Sequence, residues 1–402
     1  MDKVFLVELG GAPGRYCELE LPASDYELLD ALDLLGLKPE EQPRWEVLEH
    51  HGFEYLQPYL YPPCTLYEAN ALARELSAMT PDRQTAFEGL FRMALAEKSG
   101  PYSSVDLIRY AKSVDSCQVV NKVWTDKELG KFYVDNGFIP ETENLPEVLF
   151  EILDYDGIGR KRRMEENGVF TKYGYVVRTE PLYDGPIPNP TVPRTPDYVF
   201  QLSVWDYFAE EQERKVVRLD LPATEEQLHR ALVDGGIASW EEAVLDVKDS
   251  AVPGLLENMD SLHIEQMNEL AAAVRQIMED GKLMLYKALL AEIDCDSISR
   301  ATKLAGQLDD FILFPDIADP KDLAKTELRF LLSAPDAELV IQHVDLYRYG
   351  EALLEKRHSQ LTGYGLLERR DGQPIQTSGI RNNDQTFHYE RTKPLSQGMI
   401  MK

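Results

Sequence analysis

The stretch DYDGIGRKRRME, residues 154–165, is the first place to look for chemistry. Asp154, Asp156, Gly159 and Glu165 fall at positions 1, 3, 6 and 12 of a calcium-loop pattern, where carboxylates and a turn glycine are needed. Position 5 is Ile158, which has no ligating atom, and positions 7–10 are Arg160, Lys161, Arg162 and Arg163, four cations where a divalent ion would sit. The calcium reading is therefore rejected. His50-His51 is the only histidine pair and reads as a surface or packing feature rather than a metal site. Cys17, Cys64, Cys117 and Cys295 show neither C-x-x-C spacing nor a histidine partner pattern, so free thiols in a reducing cytosol are expected, with no disulfides and no zinc. LGGAPG (9–14) lacks the strand–glycine–helix context of a dinucleotide loop and reads as a hairpin turn. G-x-S-x-G, H-E-x-x-H and the phosphate-binding G-x-x-x-x-G-K-[ST] are missing, and no nucleophile, base and oxyanion donor assemble. The expectation is a protein without catalysis, metal or cofactor.

The elements that must carry these residues occur twice. LELPASDYELLDAL (19–32) and LDLPATEEQLHRAL (219–232) share seven of fourteen residues at an offset of 200. ANALARELSAM (69–79) matches MNELAAAVRQI (267–277), with Asn70 against Asn268, at an offset of 198. DKELGK (126–131) matches PKDLAK (320–325) at 194, and 153–177 matches 344–367 at 191 through Asp154/Asp345, Gly159/Gly350, Thr171/Thr362 and Tyr173-Gly174/Tyr364-Gly365. Four collinear matches with a slowly drifting offset imply a tandem duplication, the second copy having shorter loops. Residues 180–196 hold six prolines and are read as the linker between copies. Residues 371–402 are polar and read as a flexible tail.

Within each copy, alternating apolar residues predict strands at 4–9, 16–21 and 44–50, and at 198–205, 215–221 and 242–247. Ser24 and Thr224 sit where helix N-caps belong. Helices are expected at 65–79, 82–97 and 104–114, and at 262–278, 282–293 and 297–308. Each copy then closes with helices at 126–136 and 145–166, or 319–333 and 337–357, followed by a strand pair. The fold class is α+β: repeat 1 over 1–179 (about 1–64 α+β, 65–125 helical, 126–179 α+β) and repeat 2 over 197–370 (about 197–260, 261–315 and 316–370).

Charge is the strongest compositional signal. The 402 residues carry 70 acidic and 42 basic side chains, a net charge of −28, while 44% hydrophobic content is enough to build cores. Residues 1–200 and 201–402 each carry −14, so the acidity belongs to the repeated unit. Such a balance disfavours nucleic acid and anionic membranes as partners and favours proteins with basic grooves. No leader and no apolar run of membrane-span length is read in the sequence. The basic run GRKRR (159–163) stands out against this background and is expected to contact the other repeat or a second chain.

In element order, acidity and closing motif, each copy resembles the ArdA family of antirestriction proteins. The family motif, of the form IDYxAYGRDL, is met in copy one by LDYDGIGRKR, matching at Asp154, Tyr155, Gly159 and Arg160, and in copy two by VDLYRYGEAL, matching at Asp345, Tyr349 and Gly350. Ile158 replaces the tyrosine before glycine in the first, and Leu346 and Glu351 depart from the motif in the second. The resemblance implies an elongated row of small subdomains that mimics DNA and occupies the DNA-binding groove of type I restriction-modification enzymes. It also implies a bacterial cytoplasmic location, carriage by a mobile element, and a homodimer or intramolecular pseudo-dimer joined near the motif. A decoy for a nucleoid protein, methyltransferase or other nuclease, and an acidic adaptor without mimicry, are the alternatives.

Overall fold

The computed structural model describes residues 3–97, 103–142, 145–187, 192–256, 259, 262–293 and 295–375. The first half begins with strands β1 (Phe5–Gly10) and β2 (Tyr16–Leu21), helix α1 (Asp25–Leu35) and β3 (Arg44–Glu49). Helices α2 (Leu66–Ser77), α3 (Pro81–Ala96) and α4 (Ser104–Lys112) follow, then β4 (Cys117–Asn121), α5 (Asp126–Asp135), α6 (Glu147–Phe150), α7 (Tyr155–Glu166), β5 (Val169–Phe170) and β6 (Gly174–Arg178). The second half runs in the same order: β7 (Phe200–Asp206), β8 (Val217–Leu221), α8 (Glu225–Gly235), β9 (Ala243–Ser250), α9 (Ile264–Glu279), α10 (Leu283–Glu292), α11 (Ile298–Ala305), β10 (Phe311–Phe314), α12 (Pro320–Leu331), α13 (Ala334–Ile341), α14 (Leu346–Arg357), β11 (Gln360–Thr362) and β12 (Gly365–Arg369). The protein is mixed α+β, 47% helical, with small antiparallel sheets. Their strand orders are β2-β1-β3, β4-β6-β5, β8-β7-β9 and β10-β12-β11. Among the described residues no helix is long and apolar enough to cross a membrane.

Local sequence explains the element boundaries. Ser24 and Thr224 each head a capping box, closed by Glu27 and Gln227, and Gly36 and Gly236 end the same helices in the left-handed region. Asn70 accepts from the Ala23 N–H at 2.7 Å and donates to the Ala23 carbonyl at 3.0 Å. Asn268 does the same at Ala223, at 2.7 and 2.9 Å. These two asparagines satisfy backbone groups that neither strand nor helix can reach.

Two expectations change. The single helices expected at 145–166 and 337–357 are each broken, because Asp154 and Asp345 cap new helices by accepting the N–H of Gly157 and of Arg348. The regions 65–125 and 261–315, read as wholly helical, end in strands β4 and β10, and these turn the expected closing strand pairs into three-stranded sheets. Residues 188–191 of the proline-rich stretch and 376–402 of the tail lie outside the described residues.

The chain forms two units interleaved in sequence. One comprises residues 1–8, 18–23 and 44–192, the other 9–17, 24–43 and 193–402. In the first, Phe53 meets Phe5 and Phe87 edge-on, and Val123, Leu129 and Tyr175 form a separate small core under β6. In the second, Phe200, Leu202, Leu270, Val274, Tyr286 and Leu289 form a larger core, which Tyr26 of α1 enters. Fully burying a side chain of this kind contributes about 1.5–3 kcal/mol.

Candidate functional site

The motif residues meet their surroundings in two helix hairpins, one per unit. In the first, α7 crosses α5 at Gly159 and Gly130. A Cβ on Gly159 would lie 1.8 Å from the Asp126 carbonyl oxygen, and one on Gly130 would lie 1.9 Å from that of Tyr155. Backbone therefore rests on backbone, which only glycine allows. Asp154 caps α7, its carboxylate accepting from the Gly157 N–H at 3.0 Å, and the Tyr155 hydroxyl donates to the Phe150 carbonyl at 3.0 Å, fixing the end of α6.

The basic cluster beside this crossing is paired within its own unit. Arg163 grips Asp126 with two hydrogen bonds of 2.7 and 3.0 Å, the bidentate geometry that suits a guanidinium and a carboxylate. Hydrogen bonding to Arg163 holds the Asp126 carboxyl below its usual range, and the same bond raises Arg163. Arg160 bonds Asp156 and lies 3.9 Å from Asp126. Lys161 and Arg162 approach Glu165 at 3.9 and 3.4 Å, and Arg162 also donates to the Phe138 carbonyl at 3.3 Å. Within its own unit the cluster neutralises Asp126, Asp156 and Glu165, while the Arg160 and Lys161 side chains stay 60% and 77% exposed. At the far end of α7, the Tyr133 and Tyr175 hydroxyls both donate to Glu166, and burial, reinforced by that carboxylate, raises both phenols.

The second hairpin follows the same plan. Asp345 caps α14 through the Arg348 N–H at 3.1 Å, and a Cβ on Gly350 would lie 1.8 Å from the Pro320 carbonyl oxygen of α12. Tyr349 packs on a core of Ile317, Leu323, Leu353 and Leu366. Arg357 bonds Glu327 and approaches Glu368 at 3.7 Å. The closing turns also agree: the Thr171 and Thr362 hydroxyls each donate to the carbonyl of the glycine three residues on, both at 2.9 Å. Asp154, Tyr155, Gly159 and Arg160 are thus gathered in one hairpin, and Asp345, Tyr349 and Gly350 in the other.

These residues build a frame; they do not line a cleft. The supposed calcium loop is helix from Tyr155 onward. Among the described residues, no group of three or more His, Cys, Asp or Glu side chains is placed to hold a metal ion. None of the four cysteines is in a disulfide; burial pushes the Cys64 thiol up to about 12 and the Cys117 thiol up to about 11, away from the thiolate form that nucleophilic chemistry needs. Two hollows in the second unit, of about 120 and 190 Å³, lie beside Arg15 and between Arg300 and Arg369. Both are smaller than the several hundred Å³ of a typical small-molecule pocket. What each hairpin does offer is surface. Val148, Ile152 and Met164 are at least two-thirds exposed in the first unit, and Phe330 is 84% exposed in the second.

Sequence reasoning missed one polar centre in the second unit. Lys287 is 5% exposed, and its ammonium sits 2.8 Å from Asp30 and 3.0 Å from Asp33, both on α1. The Tyr364 hydroxyl donates to Asp30 at 2.9 Å. Burial opposes both charges. At Asp33 burial outweighs Lys287 and the carboxyl sits above its usual range, whereas at Lys287 the two carboxylates together outweigh burial and the ammonium is held. A lone lysine inside LMLYKALLAE was the available signal.

No protein-family model matches the chain, and no curated protein matches it.

Proposed function

We propose that this chain is a tandem duplication of an ArdA-like unit. In this reading it inhibits type I restriction-modification enzymes by standing in for DNA in their DNA-binding groove, without catalysis. The observation that carries the reading is the even division of a large negative charge: −14 in each half of a folded α+β chain. Twenty-eight net charges correspond to roughly 48 Å of duplex, at one charge per about 1.7 Å of axis. The duplication is supported by the paired roles of Asn70 and Asn268, of Ser24 and Thr224, and of Gly159 and Gly350, and by the matching strand orders.

Carboxylates on a folded frame can reproduce the placement of phosphates but not of base edges. Inhibition should therefore be indifferent to the recognition sequence of the target enzyme. Binding should be fast at low ionic strength and weaken as salt screens it. The test is cleavage of unmodified DNA by type I enzymes of different recognition sequence, with increasing protein. Inhibition of several enzymes by near-stoichiometric protein is expected. Undiminished cleavage at excess protein overturns the proposal.

A further inference from the structure

The helix that opens each half has two different fates. In the second unit the outward side of α1 is fully engaged. Tyr26 is 2% exposed and donates to the Tyr198 carbonyl, the Ser24 hydroxyl donates to Asp249 at 2.7 Å, and Asp30 and Asp33 close on Lys287. Beside them the β1–β2 tip sets Arg15 against the Pro315 carbonyl, near Asp316. The structure thus contains one filled junction, in which a donor face (hairpin tip plus helix) belongs to the first half and its acceptor to the second.

The corresponding donor face of the second half is bare. On α8 the positions matching Tyr26, Leu29, Asp30 and Asp33 are Glu226, His229, Arg230 and Val233, all exposed, Val233 by 64%. The β7–β8 tip beside it exposes Tyr207 by 69% and Phe208 by 73%. Adjacent exposed aromatic and aliphatic groups rimmed by charge mark an interaction surface.

The matching acceptor, in the first half, is bare as well. The counterpart of Tyr364 is Tyr173, 53% exposed, next to Trp124, 46% exposed, whose indole N–H donates to the Lys172 carbonyl at 3.0 Å. Charge is reversed on both faces. In the filled junction the donor tip carries Arg15 and the acceptor Asp316. In the bare pair the donor tip carries Glu210, Glu211 and Glu213 against Arg214 and Lys215, an excess of one negative charge, while Lys122 stands where the acceptor had Asp316, with Lys172 nearby. The counterpart of Lys287, Glu88, is already paired with Arg92 at 2.7 Å, so the bare acceptor has no buried charge awaiting a partner.

We propose that the face formed by the β7–β8 tip and the outer side of α8 docks on the Lys122–Trp124–Tyr173 face of a second copy of this chain, head to tail. The inference rests on the equivalence of the two halves proposed above. A contact between two different faces does not close on itself as a twofold dimer does; it builds rings or open chains. For an acidic decoy, that is a way to lengthen.

The test is sedimentation velocity of the full chain alone over a concentration series, at low salt and at about 1 M salt, where the screening length is about 3 Å. The wild-type chain should pass beyond dimer as concentration rises, and less so in high salt. A donor variant (Phe208→Asp with Val233→Asp) and an acceptor variant (Lys172→Glu with Tyr173→Asp) should each be monomeric, with unchanged circular dichroism. Mixed, they should form a one-to-one pair and stop, because each contributes its one intact face. A wild-type chain that stays monomeric overturns the proposal, as does association that survives in either variant or a mixture that does not pair. No restriction enzyme is present in this measurement, so its failure leaves the inhibition assay to be judged separately.

Discussion

Gly159→Ala isolates what the motif glycine does. The added methyl carbon would lie 1.8 Å from the Asp126 carbonyl oxygen and 2.7 Å from the Gly130 nitrogen, whereas ordinary contact begins at 3.4 Å. Both neighbours are backbone, so no rotamer change relieves the clash. The helices α5 and α7 must part by about 1.5 Å, and overpacking of this kind costs about 1–3 kcal/mol. Parting them also stretches the Arg163–Asp126 pair, whose charge-assisted bonds are worth about 1.5–3 kcal/mol when lost. Alanine returns about 1 kcal/mol of helix propensity. The net expectation is a loss of about 2–4 kcal/mol. With a urea slope of about 1–3 kcal/mol/M, this moves the unfolding midpoint of the closing subdomain down by about 0.7–4 M, and by about 1.5 M at the middle of both ranges. Urea titration followed by circular dichroism reads it. Gly350→Ala, with its methyl 1.8 Å from the Pro320 carbonyl oxygen, should behave alike in the other unit. Gly306→Ala is the control, since among the described residues its added methyl would meet just the Lys303 carbonyl oxygen, at 3.5 Å. An unmoved midpoint in Gly159→Ala, or an equal fall in Gly306→Ala, would refute the packing argument.

Lys287→Met should cost about 3–5 kcal/mol, because it leaves Asp30 and Asp33 facing each other half-buried without their cation. Adding Asp30→Asn and Asp33→Asn should restore part of that in the same urea titration, and a single-variant cost below about 1 kcal/mol would sink the idea. His50 is 9% exposed, packs edge-on to Phe5, and its Nε2 makes no hydrogen bond among the described residues. Burial holds its pKa below the ordinary value, only partly opposed by Glu54, so the unfolded chain takes up the proton first. Its contribution to stability is therefore complete above about pH 6.5 and is lost as pH falls below that, by up to about 1.4 kcal/mol per pH unit. His50→Leu should raise the thermal midpoint and flatten the decline between about pH 6.5 and 5, and an unchanged acid slope in the variant counts against the assignment.

Much of this architecture could be read directly from sequence, because its signals are local. Ser24 and Thr224 announce helix starts on their own, and the strands at 16–21 and 44–49 alternate visibly. The closing helices were harder. Asp154 and Asp345 lie inside continuous helical periodicity, and only the capping geometry shows that each begins a new helix. Strands β4 and β10 are short apolar runs, CQVVN and FILF, that periodicity alone does not separate from helix. The docking of α1 beside Lys287 was invisible for a different reason. It joins residues 254 apart, and no local pattern encodes a contact at that distance.

The frame role of the motif residues changes how mutagenesis of this chain should be interpreted. Asp154 and Asp345 hold helix starts, Gly159 and Gly350 hold backbone crossings, and Arg160 bonds Asp156 beside Asp126. Under the proposed decoy role, inhibition lost in a variant of Asp154, Asp345, Gly159 or Gly350 would report a displaced subdomain before any lost groove contact. Exposed carboxylates outside the frame and the proposed docking faces, such as Glu18, Glu46 and Glu269, make the cleaner probe. Changing them to glutamine preserves shape and removes charge. If the chain acts as a decoy, inhibition should fall gradually with the number of charges removed and hardly at all with any single one, since phosphate-like contacts add up without any one specifying the complex. An adaptor with one specific contact would behave in the opposite way: most single changes silent, and one decisive.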